Sequence, residues 1–139
     1  MPDTIRKVEY YYVIAPDKPG EGARVFGALR DAGVNLMAIH AFPSARRSQI
    51  DVVPTDAAAF LNAAKAAKLK VSKPKTVFLV EGDDRVGAMA QMLSRLGAAG
   101  INVIATSAVR TGPGRYGALL WVKPRDVKKA ADTLGAEGA

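Results

Sequence analysis

The sequence predicts an α+β fold made of two ferredoxin-like β-α-β-β-α-β repeats, each an antiparallel sheet with helices on one face. The first observation behind this is a duplication. Asp31-Ala32-Gly33-Val34-Asn35 returns 67 positions later as Ala98-Ala99-Gly100-Ile101-Asn102. At the same shift Asp17-Lys18-Pro19-Gly20 falls on Asp84-Arg85-Val86-Gly87, and Ala23 and Leu29 fall on Ala90 and Leu96. The second is that apolar spacing switches between the strand and helix periods in the same order in both copies. Further on, Pro54-Thr55-Asp56 matches Pro124-Arg125-Asp126 at a shift of 70, which places three extra residues in a lengthened loop from Arg110 to Arg115. Residues 1–74 and 75–139 are the expected repeats, split near Pro74.

In the first repeat, Val8 to Ala15 is rich in Tyr and Val and reads as a strand. Pro16 to Gly20 ends it as a turn. Ala23, Phe26, Leu29 and Arg30 follow helical spacing up to Gly33, which stops the helix as a left-handed cap. Leu36, Ala38, His40 and Phe42 alternate with Met37, Ile39 and Ala41 in a second strand, and Gln49 to Val53 forms a third. Asp56 or Thr55 caps an alanine-rich helix to about Ala67, and Leu69 to Ser72 is a short charged edge strand. The second repeat follows with strand Thr76–Glu81, helix Arg85–Ala99, strands Ile101–Val109 and Tyr116–Lys123, and helix Arg125–Leu134. After Leu134 only Gly135-Ala136-Glu137-Gly138-Ala139 remains, so the last strand is expected to be missing or rudimentary.

Apolar residues occupy both faces of the strands. Tyr10, Tyr12 and Ile14 oppose Tyr11 and Val13, while Tyr116, Ala118, Leu120 and Val122 oppose Leu119 and Trp121. Helices cover one face only, so the other is expected to be covered by the second repeat or another chain. Units this small bury about 60% of their chain surface, and a homodimer is the expected assembly.

The net charge of +7 invites a nucleic-acid reading, but its distribution argues against one. Residues 1–67 carry eight basic and seven acidic groups, and residues 76–139 carry eight and six. Lys68 to Lys75 holds four lysines and no acid, so most of the excess sits in the junction, as expected of a solvated linker. There is no cysteine, hence no disulfide, thiolate metal site or cysteine nucleophile. No apolar run approaches the roughly 18 residues that span a bilayer, and the N-terminus has no secretory signal, so a cytoplasmic protein without membrane association is expected.

The two matching turns carry the chemistry. Asp17-Lys18-Pro19-Gly20 and Asp84-Arg85-Val86-Gly87 each stand between a strand and a helix. Gly lets the backbone approach a ligand or take a positive φ. The helix start offers free N–H groups to a carboxylate, and Asp offers an acceptor to an ammonium group. A molecule with both groups on adjacent atoms is an amino acid. The plainer reading of each Asp is a helix cap. Asn35 and Asn102, each entering a second strand, supply donors and acceptors, or simply turn chemistry.

These residues resemble the ACT domain, a small-molecule sensor attached to many enzymes of amino-acid metabolism. Its pattern is a (D/N)-x-P-G turn after strand one and G-(V/I)-N entering strand two, met here by Asp17 to Gly20 with Gly33-Val34-Asn35, and by Asp84 to Gly87 with Gly100-Ile101-Asn102. Val86 stands where the pattern has Pro. Nothing in the chain resembles an accompanying catalytic domain, so the likeness is to a stand-alone tandem ACT protein. The resemblance implies a regulatory sensor without catalytic activity and without a cofactor. It implies an amino-acid ligand at the interface of paired repeats, with Asp17, Gly20, Asn35, Asp84, Gly87 and Asn102 as ligand residues.

Other chemistry finds little support. His40 is the only histidine and has no second ligand residue or catalytic partner placed by a motif, so neither a metal nor a catalytic site is expected. Gly112-Pro113-Gly114 lacks the Lys-Ser/Thr of a phosphate loop. Arg46-Arg47 and Arg110 with Arg115 lie in matching hairpin loops. The RNA-recognition motif shares the element order, but its third strand needs stacked aromatics. Here Ser48 to Val52 has none, and Gly114 to Trp121 lacks the central ring. Nucleic acid is therefore not an expected partner. An oligomerisation module without ligand remains the alternative.

Overall fold

A computed structural model gives the structure of residues 3–138. The described residues form an α+β fold of antiparallel sheet and helix, with seven strands and four α-helices. The chain divides into two compact units, one running from Glu9 to Lys75 and the other comprising the residues up to Val8 and those from Thr76 onward. Strand β1 (Thr4–Pro16) contributes its first residues to the latter unit and the rest to the former.

In the unit from Glu9 to Lys75, β1 is followed by α1 (Glu21–Asp31), β2 (Leu36–Ser44), β3 (Arg47–Pro54), α2 (Ala57–Ala66) and β4 (Lys70–Val71). β1 lies between β3 and β4, and β2 is the outer neighbour of β3, all antiparallel. This is the ferredoxin-like strand order. Tyr11, Val13 and Ala15 of β1, with Ile50 and Val52 of β3, pack against Val25 and Leu29 of α1 and Phe60, Ala63 and Ala64 of α2. The period-two alternation thus delivers one strand face to the helices. Gly33 takes φ 73, and the amide of Val34 donates to the Leu29 carbonyl at 2.9 Å, which closes α1 and turns the chain into β2. Asp56 caps α2, its Oδ1 accepting from the Ala59 amide at 3.1 Å.

The second unit contains β5 (Lys75–Asp83), α3 (Ala88–Ala98), β6 (Val103–Gly112), β7 (Arg115–Val122), a 3-10 turn at Pro124–Asp126 and α4 (Val127–Leu134). β7 pairs antiparallel with both β5 and β6. Ile5 of β1 joins Phe78, Val80, Ala118, Leu120 and Val122 in a core closed by Met92, Leu96, Ala130 and Leu134. Glu137 forms an isolated parallel bridge with Arg6 in place of a last strand; the Lys7 amide donates to its carbonyl at 2.7 Å.

The three extra residues of the second copy are not in one lengthened loop. Both hairpins turn through two residues, Ala45-Arg46 and Pro113-Gly114. Tyr11 pairs with Val52 and its counterpart Phe78 with Leu120, so the offset at the third strand is already 68. One residue is therefore absorbed before β7, where β6 has register shifts, one of them between Arg110 and Gly112. The other two enter between β7 and α4, where the 3-10 turn replaces a shorter link.

Asp51 is the one charged side chain buried among the described residues, at 5% exposure. It lies directly across from His40 on β2 and Tyr12 on β1, and Gln49 Nε2 donates to its Oδ1 at 3.0 Å. Burial raises its pKa, while the Gln49 hydrogen bond and the charges of His40 and Lys75 draw it back. A folded-state pKa above the unfolded one means that the native state binds the proton more readily. Its stabilising contribution is then complete below about pH 4 and is lost as pH rises through the raised value. Asp51→Asn is expected to raise the thermal midpoint at pH 7, with the gain shrinking toward pH 4. Denaturation curves at the two pH values check this, and an unchanged or lowered midpoint at pH 7 would contradict it.

Candidate functional site

Each β-α turn is built the same way in the two units. Gly20 takes φ 88 as the N-cap of α1, and Gly87 takes φ 82 as the N-cap of α3. Neither helix start is capped by a side chain. A positive φ of this size is where Gly is favoured; the Glu21 and Ala88 amides donate to the Lys18 and Arg85 carbonyls at 3.3 and 3.4 Å, and no side chain caps the rest of either first turn, where an external acceptor can bind. The plain reading of Asp17 as a helix cap does not hold. It stands three residues before the N-cap Gly20, is exposed, and among the described residues its Oδ1 accepts only a long hydrogen bond of 3.4 Å from Ser48 Oγ.

The corresponding carboxylate is otherwise engaged. Asp84 Oδ2 pairs with Arg110 Nε at 3.1 Å. Arg85, the counterpart of Lys18, donates from Nη1 and Nη2 to the Asp3 carboxylate at 3.0 and 3.3 Å and from Nη2 to Gln91 Oε1 at 3.0 Å. Arg115 Nη1 lies 2.8 Å from Asp83 Oδ1 and holds that carboxyl below the usual range. Among the described residues the Tyr116 hydroxyl is buried without a hydrogen-bond partner, and burial, with the nearby Asp3 carboxylate, pushes its pKa up to about 12. A phenol so placed stays neutral at physiological pH. Asp83, Asp84 and Arg85 are thus each held in an ion pair, with Arg115, Arg110 and Asp3 respectively, that the sequence alone did not reveal. The partner Asp3 is 82 residues from Arg85 and carries no local signal.

Asn35 and Asn102 are exposed and lie at the start of the second strands. The Asn35 carbonyl accepts from the Thr55 amide at 3.0 Å and from Thr55 Oγ1 at 3.2 Å. Thr55 follows the end of β3, whereas Asp17 follows Pro16, which faces the beginning of β3 at Arg47. Asp17 and Asn35 are therefore at opposite ends of the sheet, separated by the length of β2, roughly 26 Å at 3.3 Å per residue. The structure groups Asp17 with Gly20 and Asp84 with Gly87, and does not bring either pair to its own unit's Asn.

Two clefts open beside these turns. One, of about 310 Å³, is lined by residues that include Asp84, Arg85, Gly87, Met89, Arg110 and Tyr116. The other, of about 450 Å³, is lined by Pro16, Asp17, Lys18, Ala45, Arg46 and Arg47. Both lie within the range of small-ligand sites. Among the described residues no group of three His, Asp or Glu side chains is placed to hold a metal ion, and no helix is long and apolar enough to cross a membrane.

The fold and its open turns define a small α+β protein of ferredoxin-like units with clefts at the strand-to-helix turns. No protein-family profile matches the chain, and no curated protein matches it. Solved structures do share its fold. Protein BT0572 from Bacteroides thetaiotaomicron is 17% identical with a TM-score of 0.82, over 94% of this chain and 88% of that one. The ligand-free regulatory subunit of aspartate kinase from Thermus thermophilus is 17% identical with a TM-score of 0.63, over 97% and 95% of the two chains. A structure of aspartokinase alpha and beta subunits is 19% identical with a TM-score of 0.61, over 96% and 95%. At these identities the likeness is one of fold. The Thermus neighbour is a regulatory subunit.

Proposed function

We propose that this chain is a regulatory binding protein of tandem ACT type, with repeats at 1–74 and 75–139, that binds an amino acid and has no catalytic activity of its own. The observation that carries the reading is the turn at Asp17 to Gly20. An exposed carboxylate that caps nothing stands beside a helix start whose amides have no side-chain acceptor. That pairing suits an ammonium and a carboxylate on neighbouring atoms. The regulatory subunits among the structural neighbours support it. Because Asn35 lies at the far end of its own sheet, we assign its role, and that of Asn102, to a second copy of the chain. β2 and β6 are the outer strands and expose Met37, Ile39, Ile104 and Val109, which supports a homodimer.

A second reading, an assembly module, is favoured for the later repeat by one observation: Asp84 is already paired with Arg110. We therefore assign ligand binding to the first turn, and Gly87 and Asn102 to a weaker site or to dimer contacts. A thermal-shift screen against the common amino acids tests the proposal. A ligand at 100 times its Kd stabilises by roughly 2.7 kcal/mol, so at least one amino acid is expected to raise the midpoint by several degrees. If none does while sedimentation shows a dimer, the assembly reading replaces the sensor.

A further inference from the structure

The two turns differ in charge, not in geometry. In the second unit every cation at this end of the sheet has its own carboxylate: Arg85 with Asp3, Arg110 with Asp84 and Arg115 with Asp83. In the first unit the 450 Å³ cleft is lined by three cations, Lys18, Arg46 and Arg47, and one acid, Asp17. Among the described residues none of those three cationic side chains has an ion pair or hydrogen bond. Three positive groups and one negative group leave a local charge of +2.

The backbone holds these cations together. Arg47 is paired directly with Pro16 at the end of β1 and with Ser44 across the hairpin. The hairpin turns through Ala45 at φ 50 and Arg46 at φ 67. Both positions are left-handed, where Asn and Gly are the favoured residues. The turn therefore holds Arg46 and Arg47 opposite the Asp17–Lys18 segment at some conformational cost, and mutual repulsion among the cations adds to it. An anion in the cleft relieves that repulsion, and Asp17 alone cannot.

We infer that this cleft is an anion site, and that the ligand it takes carries a carboxylate or phosphate in addition to an α-carboxylate. The ligand class is then an acidic or phosphorylated amino acid; the amino-acid part of this rests on the function proposed above, and the anion site does not. Arg46 and Arg47 supply planar donors suited to a two-oxygen group, and Lys18 supplies a point charge.

Titration calorimetry on the intact chain tests it, with L-serine, L-glutamate, O-phospho-L-serine and inorganic phosphate as probes. Glutamate or phosphoserine is expected to bind at least about tenfold more tightly than serine, as charge-assisted hydrogen bonds require. Comparison of those two probes decides between carboxylate and phosphate. Raising the salt is expected to narrow the preference. The double variant Arg46→Gln/Arg47→Gln is expected to collapse the ratio of acidic ligand to serine, while Arg30→Gln, a charge loss at the other end of α1, leaves the ratio intact. Serine binding as tightly as both acidic probes would overturn the anion site and leave the amino-acid sensor standing. Binding of phosphate that depends on Arg46 and Arg47, with no amino acid bound, would uphold the anion site and overturn the sensor. Weak phosphate binding indifferent to the double variant would overturn the anion site.

Discussion

Phe60→Ala is expected to destabilise the unit from Glu9 to Lys75 by about 3–5 kcal/mol, the usual loss for a large buried aromatic. Phe60 is fully buried, and its ring centroid lies 5.2 Å from that of Tyr11. It fills the space between α2 and the strands that carry Val13 and Val52. The second unit solves the same packing problem differently. At the position matching Phe60 it has Ala130, and at the position matching Tyr11 it has Phe78, with Met92 and Leu120 nearby in the core. The first unit has no comparable filler on that helix, since beside Phe60 its α2 contributes only alanines, Ala57, Ala63 and Ala64. The cavity left by the substitution would therefore stay largely open. Urea denaturation of wild type and variant measures the loss. A cost under about 1 kcal/mol would mean that the core is not packed as described.

Gly20→Val is expected to abolish measurable ligand binding and to cost about 1–2 kcal/mol of stability. The stability loss comes from the backbone, because a β-branched residue at φ 88 is a conformational outlier. It does not come from a clash, since nothing lies within 4 Å of a Cβ placed there. The same open space is where a ligand would approach the first amides of α1, and two added methyl groups occupy it. Gly20→Ala separates the two effects. It carries most of the backbone cost with less bulk, so its loss of affinity is expected to be smaller than that of the valine variant. Equal affinity in both variants and wild type, measured by calorimetry, would remove this turn from the site.

The order of elements and the helix-facing cores were legible in the sequence because they rest on local periodicity. Tyr11, Val13 and Ile50 announce their burial by alternation, and Gly33 and Gly100 mark helix ends by their need for a positive φ. What depends on distant pairing was not legible. The strand β1 looked like the eight residues from Val8 to Ala15, yet Thr4 to Lys7 extend it, with Ile5 in the core of the other unit. Arg110 and Arg115 looked like Arg46 and Arg47, but only the fold shows that Asp84 and Asp83 neutralise the first two. The mid-strand Asp51 was visible as an acid among apolar residues; its depth of burial was not. For the site, the turns at Asp17 and Asp84 were readable from their spacing. That Asp17 and Asn35 stand at opposite ends of one sheet follows from strand register.

The central claim is that the Asp17 turn binds an amino acid. Titration calorimetry of wild type against the amino acids selected by thermal shift, repeated with Asp17→Ala and Asn35→Ala, tests it most directly. Asp17 caps no helix, so Asp17→Ala should leave the unfolding midpoint within the small range of surface substitutions. It should weaken binding by roughly 10–100-fold, the worth of a charge-assisted hydrogen bond at about 1.5–3 kcal/mol. On the proposed dimer, in which a second copy would supply that side chain, Asn35→Ala should weaken binding only when the chain is dimeric. Unchanged affinity in both variants would contradict the assignment of the site to these residues.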